Sequence, residues 1–338
     1  MIDRYSRQVL FSGIGEAGQE RIRSSQIALV GCGALGSVSA EMLTRAGVGK
    51  LRLMDRDFVE ESNLQRQSLF TEEHVSKGVP KAAAAESALR GINSDVNIEG
   101  VITDVTWENI EGLCLDHEII VDGTDNFETR FLINDFAVKH SIPWVYGACV
   151  GSYGVAFTFE PGTSACLQCL FERPPEVGAS ETCDTMGILG PVVHVIAAYQ
   201  VTQVLRILTG QSPSRRILQA DVWNGTWQTL GAERAHSQQC PCCQQHEFRF
   251  LKGEEKTQMT RLCGRDAVQV SPQQKTHPDF QGLSQRLDRS GQVDFNQHMM
   301  RIRIEGYEIA LFADGRSIIR GTEDVSEAKA VYAKYIGN

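Results

Sequence analysis

Basic charge is in short supply in this sequence. Lysine and arginine number 33 against 42 acids, a formal net charge of −9 at pH 7. A nucleic-acid-binding face needs the opposite balance, so no nucleic acid is expected as a partner. A small molecule or another protein fits that charge. No apolar run approaches the roughly 20 residues of a membrane span. The opening residues MIDRYSRQVL are charged and lack the apolar core of a signal peptide. Internal repeats and low-complexity segments are also missing. The expectation is a cytoplasmic protein without membrane contact. At 338 residues and 42% hydrophobic composition, the chain can bury one large domain plus a smaller one.

Cysteine, by contrast, is plentiful, with ten residues. In a reducing compartment these are free thiols, metal ligands or catalytic groups. Cys32, Cys114 and Cys149 sit in apolar runs and read as small core residues. Cys166, Cys169, Cys183, Cys240, Cys242 and Cys243 fall in loop-like contexts and need another account.

Apolar runs alternate with helical periodicity along most of the chain. IALVG, KLRLMD, VNIEGVI and HEIIVDGTD read as strands. SVSAEMLTRAG reads as a helix stopped at Gly47, and PKAAAAESALRGIN as a helix with Pro80 at its start. FETRFLINDFAVKHS and VVHVIAAYQVTQVLRILTG read as two more helices, the last closed by Gly210. This alternation predicts an α/β fold: a doubly wound, mostly parallel Rossmann-like sheet, whose ligands bind beyond the carboxyl ends of the strands. ERPPEVGASETCDTMGILGP has no period and reads as a long mobile loop. Beyond about residue 250 the composition turns polar and ends in a hairpin pattern around Asp314-Gly315. The expected division is residues 1–250 and a small C-terminal α/β module, 251–338.

Five motifs carry chemistry. In GCGALG, Gly31 allows a tight turn, Gly33 lets backbone approach a phosphate, and Gly36 allows close helix packing. Asp55 ends the next strand, where a ribose-binding acid belongs. Nicotinamide, flavin and adenine-nucleotide enzymes all share that signal. SNLQRQ then adds Arg66, followed by Lys81 and preceded by Arg7. Each could be a solvated surface charge, but a triphosphate reacting at phosphorus needs several cations. In DGTDNFETR, Asp122 and Asp125 could hold Mg²⁺, while Asp125 or Asn126 could simply cap a helix. CLQC and CPCC supply two CxxC pairs, and spacing favours a structural Zn²⁺ bound by Cys166, Cys169, Cys240 and Cys243, with Cys242 a spare. That zinc would staple an extension onto the sheet. Cys183 lies just before a helix start near Pro191, where a thiol can become nucleophilic or be an incidental loop residue.

Together, RYSRQ, GCGALG, DRDFVEESNLQRQ, PKA, DGTDNFETR and the paired CxxC resemble the ThiF/MoeB-type adenylyltransferases, relatives of the ubiquitin-activating enzymes, over roughly residues 3–245. The resemblance implies ATP and Mg²⁺ as cofactors beside Zn²⁺. It implies Asp55 at the ribose, with Asn63, Arg66, Gln67 and Lys81 around the triphosphate. Asp125 would hold Mg²⁺ with Asn126 beside it. Arg7 would reach into a partner subunit's site, hence a homodimer. The implied substrate is the C-terminal Gly-Gly of a small ubiquitin-like sulfur-carrier protein. ETCDTMGILGP resembles the thiamine-thiazole branch, in which the loop cysteine can bond to the activated carrier and a sulfur donor such as a cysteine desulfurase persulfide follows. The molybdopterin branch is the alternative within the class. An NAD-binding oxidoreductase explains the glycine turn and little else.

Overall fold

The structure, a computed structural model, describes residues 4–175, 186–232, 237–254, 267–270, 277–288, 291–322 and 324–337. The chain divides into two compact units, Met1–Val75 with Pro80–Lys256, and Ser76–Val79 with Thr257–Asn338.

The first unit is built on eight strands: β1 Gln26–Val30, β2 Lys50–Asp55, β3 Asn97–Ile102, β4 Ile119–Asp122, β5 Trp144–Val150, β6 Tyr153–Phe159, β7 Arg216–Asp221 and β8 Thr226–Gly231. Their order across the sheet is β3-β2-β1-β4-β5-β6-β7-β8. β3, β2, β1, β4 and β5 pair in parallel, and β5 through β8 pair antiparallel. The chain moves outward from β1 to β3, then returns to place β4 on the other side of β1. That reversal opens a crevice at the carboxyl ends of β1 and β4.

Side chains alternate across each strand, so the sheet has two apolar faces to cover. Ala28, Val30, Ile120, Trp144, Phe157 and Phe159 point to one face, against the helix Phe127–His140 with its Phe131, Ile133 and Phe136. Trp144 and Phe159 stack across the β5–β6 pair with ring centroids 4.5 Å apart. Cys149, Ala156, Leu218 and Ala220 point to the other face, against the helices Ala34–Ala46 and Gly190–Leu208. Among the described residues, Gly190–Leu208 is the one helix long and apolar enough to cross a membrane, and half of it is buried as core. Gly47 ends the first of these helices in the left-handed region, at φ 81°, as its position in the sequence leads one to expect.

β4 and β5 pair over only Ile120–Trp144 and Val121–Val145 before they diverge. The fully buried Gln200, on the helix Gly190–Leu208, fills the split. Its Nε2 donates to Asp122 O at 2.9 Å and to Val145 O at 3.1 Å. β8, at the sheet edge, is exposed along its whole length.

The second unit is a five-stranded antiparallel sheet of β9 Ala267–Val270, β10 Gln292–Phe295, β11 Met299–Ile304, β12 Tyr307–Phe312 and β13 Ser317–Arg320, in the order β10-β11-β12-β13-β9. The expected hairpin at Asp314-Gly315 joins β12 to β13, with Gly315 at φ 86°. The helices Phe280–Leu287 and Val325–Tyr335 start at Asp279 and Asp324, whose carboxylates accept backbone N–H groups of the first turn. Their apolar residues, Leu283, Leu287, Val331 and Tyr332, share a core with Ile302, Ile309 and Ile319.

Replacing Gln200 by leucine should leave two buried carbonyls without a donor. The expected loss is about 1–3 kcal/mol of folding stability, read from urea unfolding of the full chain.

Candidate active site and metal centre

At the end of β1 the chain turns sharply through Gly31, at φ 89°. A Cβ there would lie 2.7 Å from Gly123 O, and one on Gly36 would overlap Gly31 O. Both positions therefore need glycine for packing alone. Gly33 differs. Its nearest neighbour would be 3.9 Å from an added Cβ, so no protein atom demands a glycine there. It caps the helix Ala34–Ala46 and leaves space beside that helix's N-terminus. Such a terminus offers N–H groups and positive potential to an anion.

Asp55 sits at the end of β2, and its carboxylate accepts from Cys32 N–H at 2.6 Å and Asp57 N–H at 2.7 Å. The acid thus shapes the glycine turn itself. Burial raises its pKa above the usual carboxylate value, and Lys81 pulls it back. Lys81 opens the helix Lys81–Ile92 after Pro80, is 4% exposed, and donates to Asp57 Oδ2 at 3.2 Å. Arg56 donates to Asp104 Oδ2 at 3.1 Å. Burial opposes its charge, but Asp104, Asp57 and Asp125 more than compensate and hold it firmly protonated. Arg56, Asp57 and Asp104 were not singled out from the sequence. The alternation Asp55-Arg56-Asp57 is a signal for the first two, and nothing local marks Asp104.

Asn63 is buried at the end of the short 3₁₀ turn Glu61–Asn63. Its Oδ1 accepts from Glu60 N–H at 3.1 Å, while its Nδ2 has no partner among the described residues. Gln67 Oε1 is also buried and unpartnered there. Buried orphan polar atoms are costly unless a ligand satisfies them, so both side chains fit a polar guest. Arg66 is half-buried and donates to Ser62 O at 2.9 Å. Arg7 is the exposed residue of the four-residue helix Ser6–Val9, beside exposed Leu10 and Phe11. No contact among the described residues ties Arg7 to the rest of this group.

The loop after β4 distinguishes its two acids. Asp122 is fully buried and accepts from Thr124 N–H at 2.9 Å and from the Thr124 hydroxyl at 2.6 Å. Arg130 Nε donates to its other oxygen at 3.0 Å. Arg130 also donates to Thr124 O at 2.7 Å and Gly147 O at 3.0 Å, with its guanidinium 4.8 Å from the Tyr146 ring centre. Burial works against that charge and Asp122 restores it, so Arg130 stays protonated. Asp122 is therefore occupied and unavailable to a metal. Asp125 is exposed, and no hydrogen bond or ion pair among the described residues engages it. Asn126 is a helix cap, its Oδ1 accepting from Thr129 N–H at 2.8 Å. Arg130, missed from the sequence, closes the DGTDNFETR motif eight residues beyond the acid it neutralises.

The paired cysteines come together. Ligand atoms of Cys166, Cys169, Cys240 and Cys243 all lie within 4.8 Å of one another. Individual Sγ–Sγ separations are 3.5 Å for Cys166–Cys240, 3.5 Å for Cys169–Cys243 and 3.9 Å for Cys166–Cys169. A tetrahedron with Zn–S bonds of about 2.3 Å has edges of about 3.8 Å, so the donor set fits Zn²⁺ in number, type and spacing. Cys242 is fully buried, and Asn134 Nδ2 donates to its Sγ at 3.3 Å. Cys183 lies outside the described residues.

A glycine turn between a strand and a helix, an acid closing the next strand and an unengaged carboxylate beyond β4 define a nucleotide-binding α/β protein with a four-thiol centre. The chain belongs to the ThiF family, whose model matches residues 5–242. It is 47% identical over 338 residues to the sulfur carrier protein ThiS adenylyltransferase of Bacillus subtilis (strain 168), an alignment spanning all of both chains. The second unit thus has a counterpart in that relative. The chain is 36% identical over 244 residues to the SAMP-activating enzyme E1 of Haloferax volcanii, covering 72% of this chain and 88% of that one. Among solved structures, E. coli MccB with MccA-N7isoASN superposes with a TM-score of 0.64 at 21% identity, over 72% of this chain and 74% of the other. That likeness is one of fold.

Arg130→Leu should strand Asp122 as a buried charge and cost about 3–5 kcal/mol. Arg130→Lys should recover only part of this, because one ammonium cannot reproduce the guanidinium fork. Chemical denaturation of both variants checks the order.

Proposed function

We propose that this protein adenylylates the C-terminal glycine carboxylate of a small ubiquitin-like, ThiS-like sulfur carrier ending in Gly-Gly, ahead of thiocarboxylate formation for the thiamine thiazole. The observation that carries the reading is the 47% identity to a ThiS adenylyltransferase along the entire chain. The same chemistry on a molybdopterin-type carrier is the alternative, and relatives named adenylyltransferase and sulfurtransferase MOCS3 are 30–36% identical over part of the chain.

In this reading a carboxylate oxygen of the carrier attacks the α-phosphorus of ATP. The bond from that phosphorus to the α,β-bridging oxygen breaks, and pyrophosphate leaves with the electron pair. Gly31, Gly33 and Gly36 let the turn lie against phosphate, and Asp55, besides shaping that turn, takes the ribose. Asn63, Arg66, Gln67 and Lys81 surround the triphosphate, where Asn63 Nδ2 and Gln67 Oε1 are the unsatisfied atoms a ligand would engage. Lys81 would be presented by its pairing with Asp57. Asp125 would bind Mg²⁺ with Asn126 beside it, and the ion would screen charge on the reacting phosphates. Arg7 would serve the site of a second copy in a homodimer. Cys166, Cys169, Cys240 and Cys243 would bind one structural Zn²⁺. Cys183 would hold the carrier covalently during sulfur transfer from a persulfide donor such as a cysteine desulfurase. Residues 1–250 would carry the ATP-dependent step and 251–338 a separate module, in a cytoplasmic enzyme without nucleic-acid or membrane partners.

The test is ATP–pyrophosphate exchange with candidate carriers. Exchange should require Mg²⁺ and a carrier with an intact Gly-Gly end. Asp125→Ala should lower it by about 100-fold or more, the scale for removing one transition-state electrostatic group, with the thermal midpoint unchanged. Carrier-independent behaviour with tight NAD binding would overturn the reading.

Cys183→Ser should keep exchange near wild type, because adenylylation needs no thiol, while lowering thiocarboxylate yield. Mass spectrometry of the carrier after incubation with ATP and a persulfide donor reads the second step. Full yield would make Cys183 a bystander.

A further inference from the structure

The two cysteine pairs come from segments 74 residues apart, as the Cys166–Cys240 contact records. Something besides a metal ion must hold those segments in register. Two adjacent side chains on the helix Phe127–His140 touch both. Asn134 and Asp135 are each fully buried.

Asn134 Oδ1 accepts from Leu167 N–H at 2.7 Å, inside the first CxxC. Its Nδ2 reaches Cys242 Sγ at 3.3 Å, inside the second. Asp135 Oδ1 accepts from Gln168 Nε2 at 2.8 Å, again inside the first pair. Its Oδ2 accepts from Phe250 N–H at 2.9 Å and Leu251 N–H at 3.4 Å, on the segment leaving the second pair. Backbone bonds Gln245 N–H to Cys240 O, His246 N–H to Cys242 O and Glu247 N–H to Pro241 O knit that segment to its cysteines. Neighbouring helix positions diverge by about 100°, so the two side chains grip the same two segments from different directions. Every polar atom of both is engaged.

We propose that Asn134 and Asp135 are the positioning residues of the thiol centre, holding its two CxxC segments in register from a single helix. The proposal rests on the reading that the four thiols bind zinc. It also gives Cys242 a place. The middle cysteine of CPCC is a hydrogen-bond partner of Asn134 and not a fifth ligand. Groups that orient metal ligands through such contacts commonly change metal affinity by about 10- to 100-fold when altered.

The experiment uses the full chain purified with zinc. Elemental analysis gives the content of the wild type, and a chromogenic chelator follows the rate of zinc release. Asn134→Ala and Asp135→Asn should each release zinc at least about 10-fold faster than wild type. Cys242→Ser, which keeps an acceptor for Asn134, should retain one zinc per chain. Ile27→Ala, a cavity in β1 with both gripping residues intact, should lower the thermal midpoint and leave the release rate at the wild-type value. If Asn134→Ala does not fold, the isosteric Asp135→Asn decides. Wild-type protein without zinc would overturn the metal reading and this proposal with it. Zinc present but released at the wild-type rate by the folded variants would overturn the positioning role alone. So would equal acceleration by Ile27→Ala.

Discussion

A carboxylate with no exposure at the end of a central strand has to be neutralised, and Asp122 is neutralised by Arg130. Removing either charge would leave the other buried and uncompensated. The pair does more than cancel. Arg130 Nη2 also donates to Thr124 O and Gly147 O, so one guanidinium fixes the loop after β4 and the middle of β5 together. Gln200 binds Asp122 O and Val145 O from the neighbouring helix layer. The loop carrying Asp125 and Asn126 is thereby clamped behind, where it is buried, and open in front, where Asp125 meets solvent. Asp125 thus combines rigid support with free oxygens.

Much of this could be read in the sequence, because the signals were local. IALVG and KLRLMD are apolar runs of strand length, the helices at 34–46 and 190–208 end where Gly47 and Gly210 stand, and the glycine turn falls between a strand and a helix. The CxxC spacing led directly to the four thiols that meet in space. What could not be read depends on partners distant in sequence. Nothing near Lys81 indicates that Asp57 holds it, nothing near Gln200 indicates Asp122 and Val145, and no pattern in SNLQRQ separates buried Asn63 and Gln67 from half-buried Arg66. Residue types set what each side chain could do, and tertiary packing chose among the options. The change from parallel to antiparallel pairing after β5 is a middle case. The Gly151-Ser152 turn leaves two residues between β5 and β6, and so short a link permits only a hairpin.

The two units differ in how they satisfy the same physical demand. The first covers both faces of its sheet with helices, which is why its central strands are apolar throughout. Among its described residues, the second has five short antiparallel strands and two helices that begin at aspartate caps. Its core of Ile, Leu and Val with Tyr332 and Tyr335 belongs to that unit alone. The alignment with the Bacillus subtilis relative includes this unit, whereas the Haloferax volcanii relative matches only 72% of the chain.

Order of synthesis follows from where the cluster's parts lie along the chain. A ribosome releases the helix Phe127–His140 first, the CLQC segment next and CPCC last. Closing a gap of 74 residues from a free coil would cost about 4 kcal/mol of chain entropy. By then β5, β6 and the helix Gly190–Leu208 have already been made and can shorten that search. The helix and both cysteine pairs belong to one unit, and domains fold as units, so Asn134 and Asp135 are synthesised before either pair but the whole assembly closes only when the last pair has emerged. A nascent chain halted between the two pairs would hold Asn134, Asp135 and two of the four thiols. An ion held by all four thiols would therefore be captured late in the life of the polypeptide, with the last cysteines to emerge setting the timing.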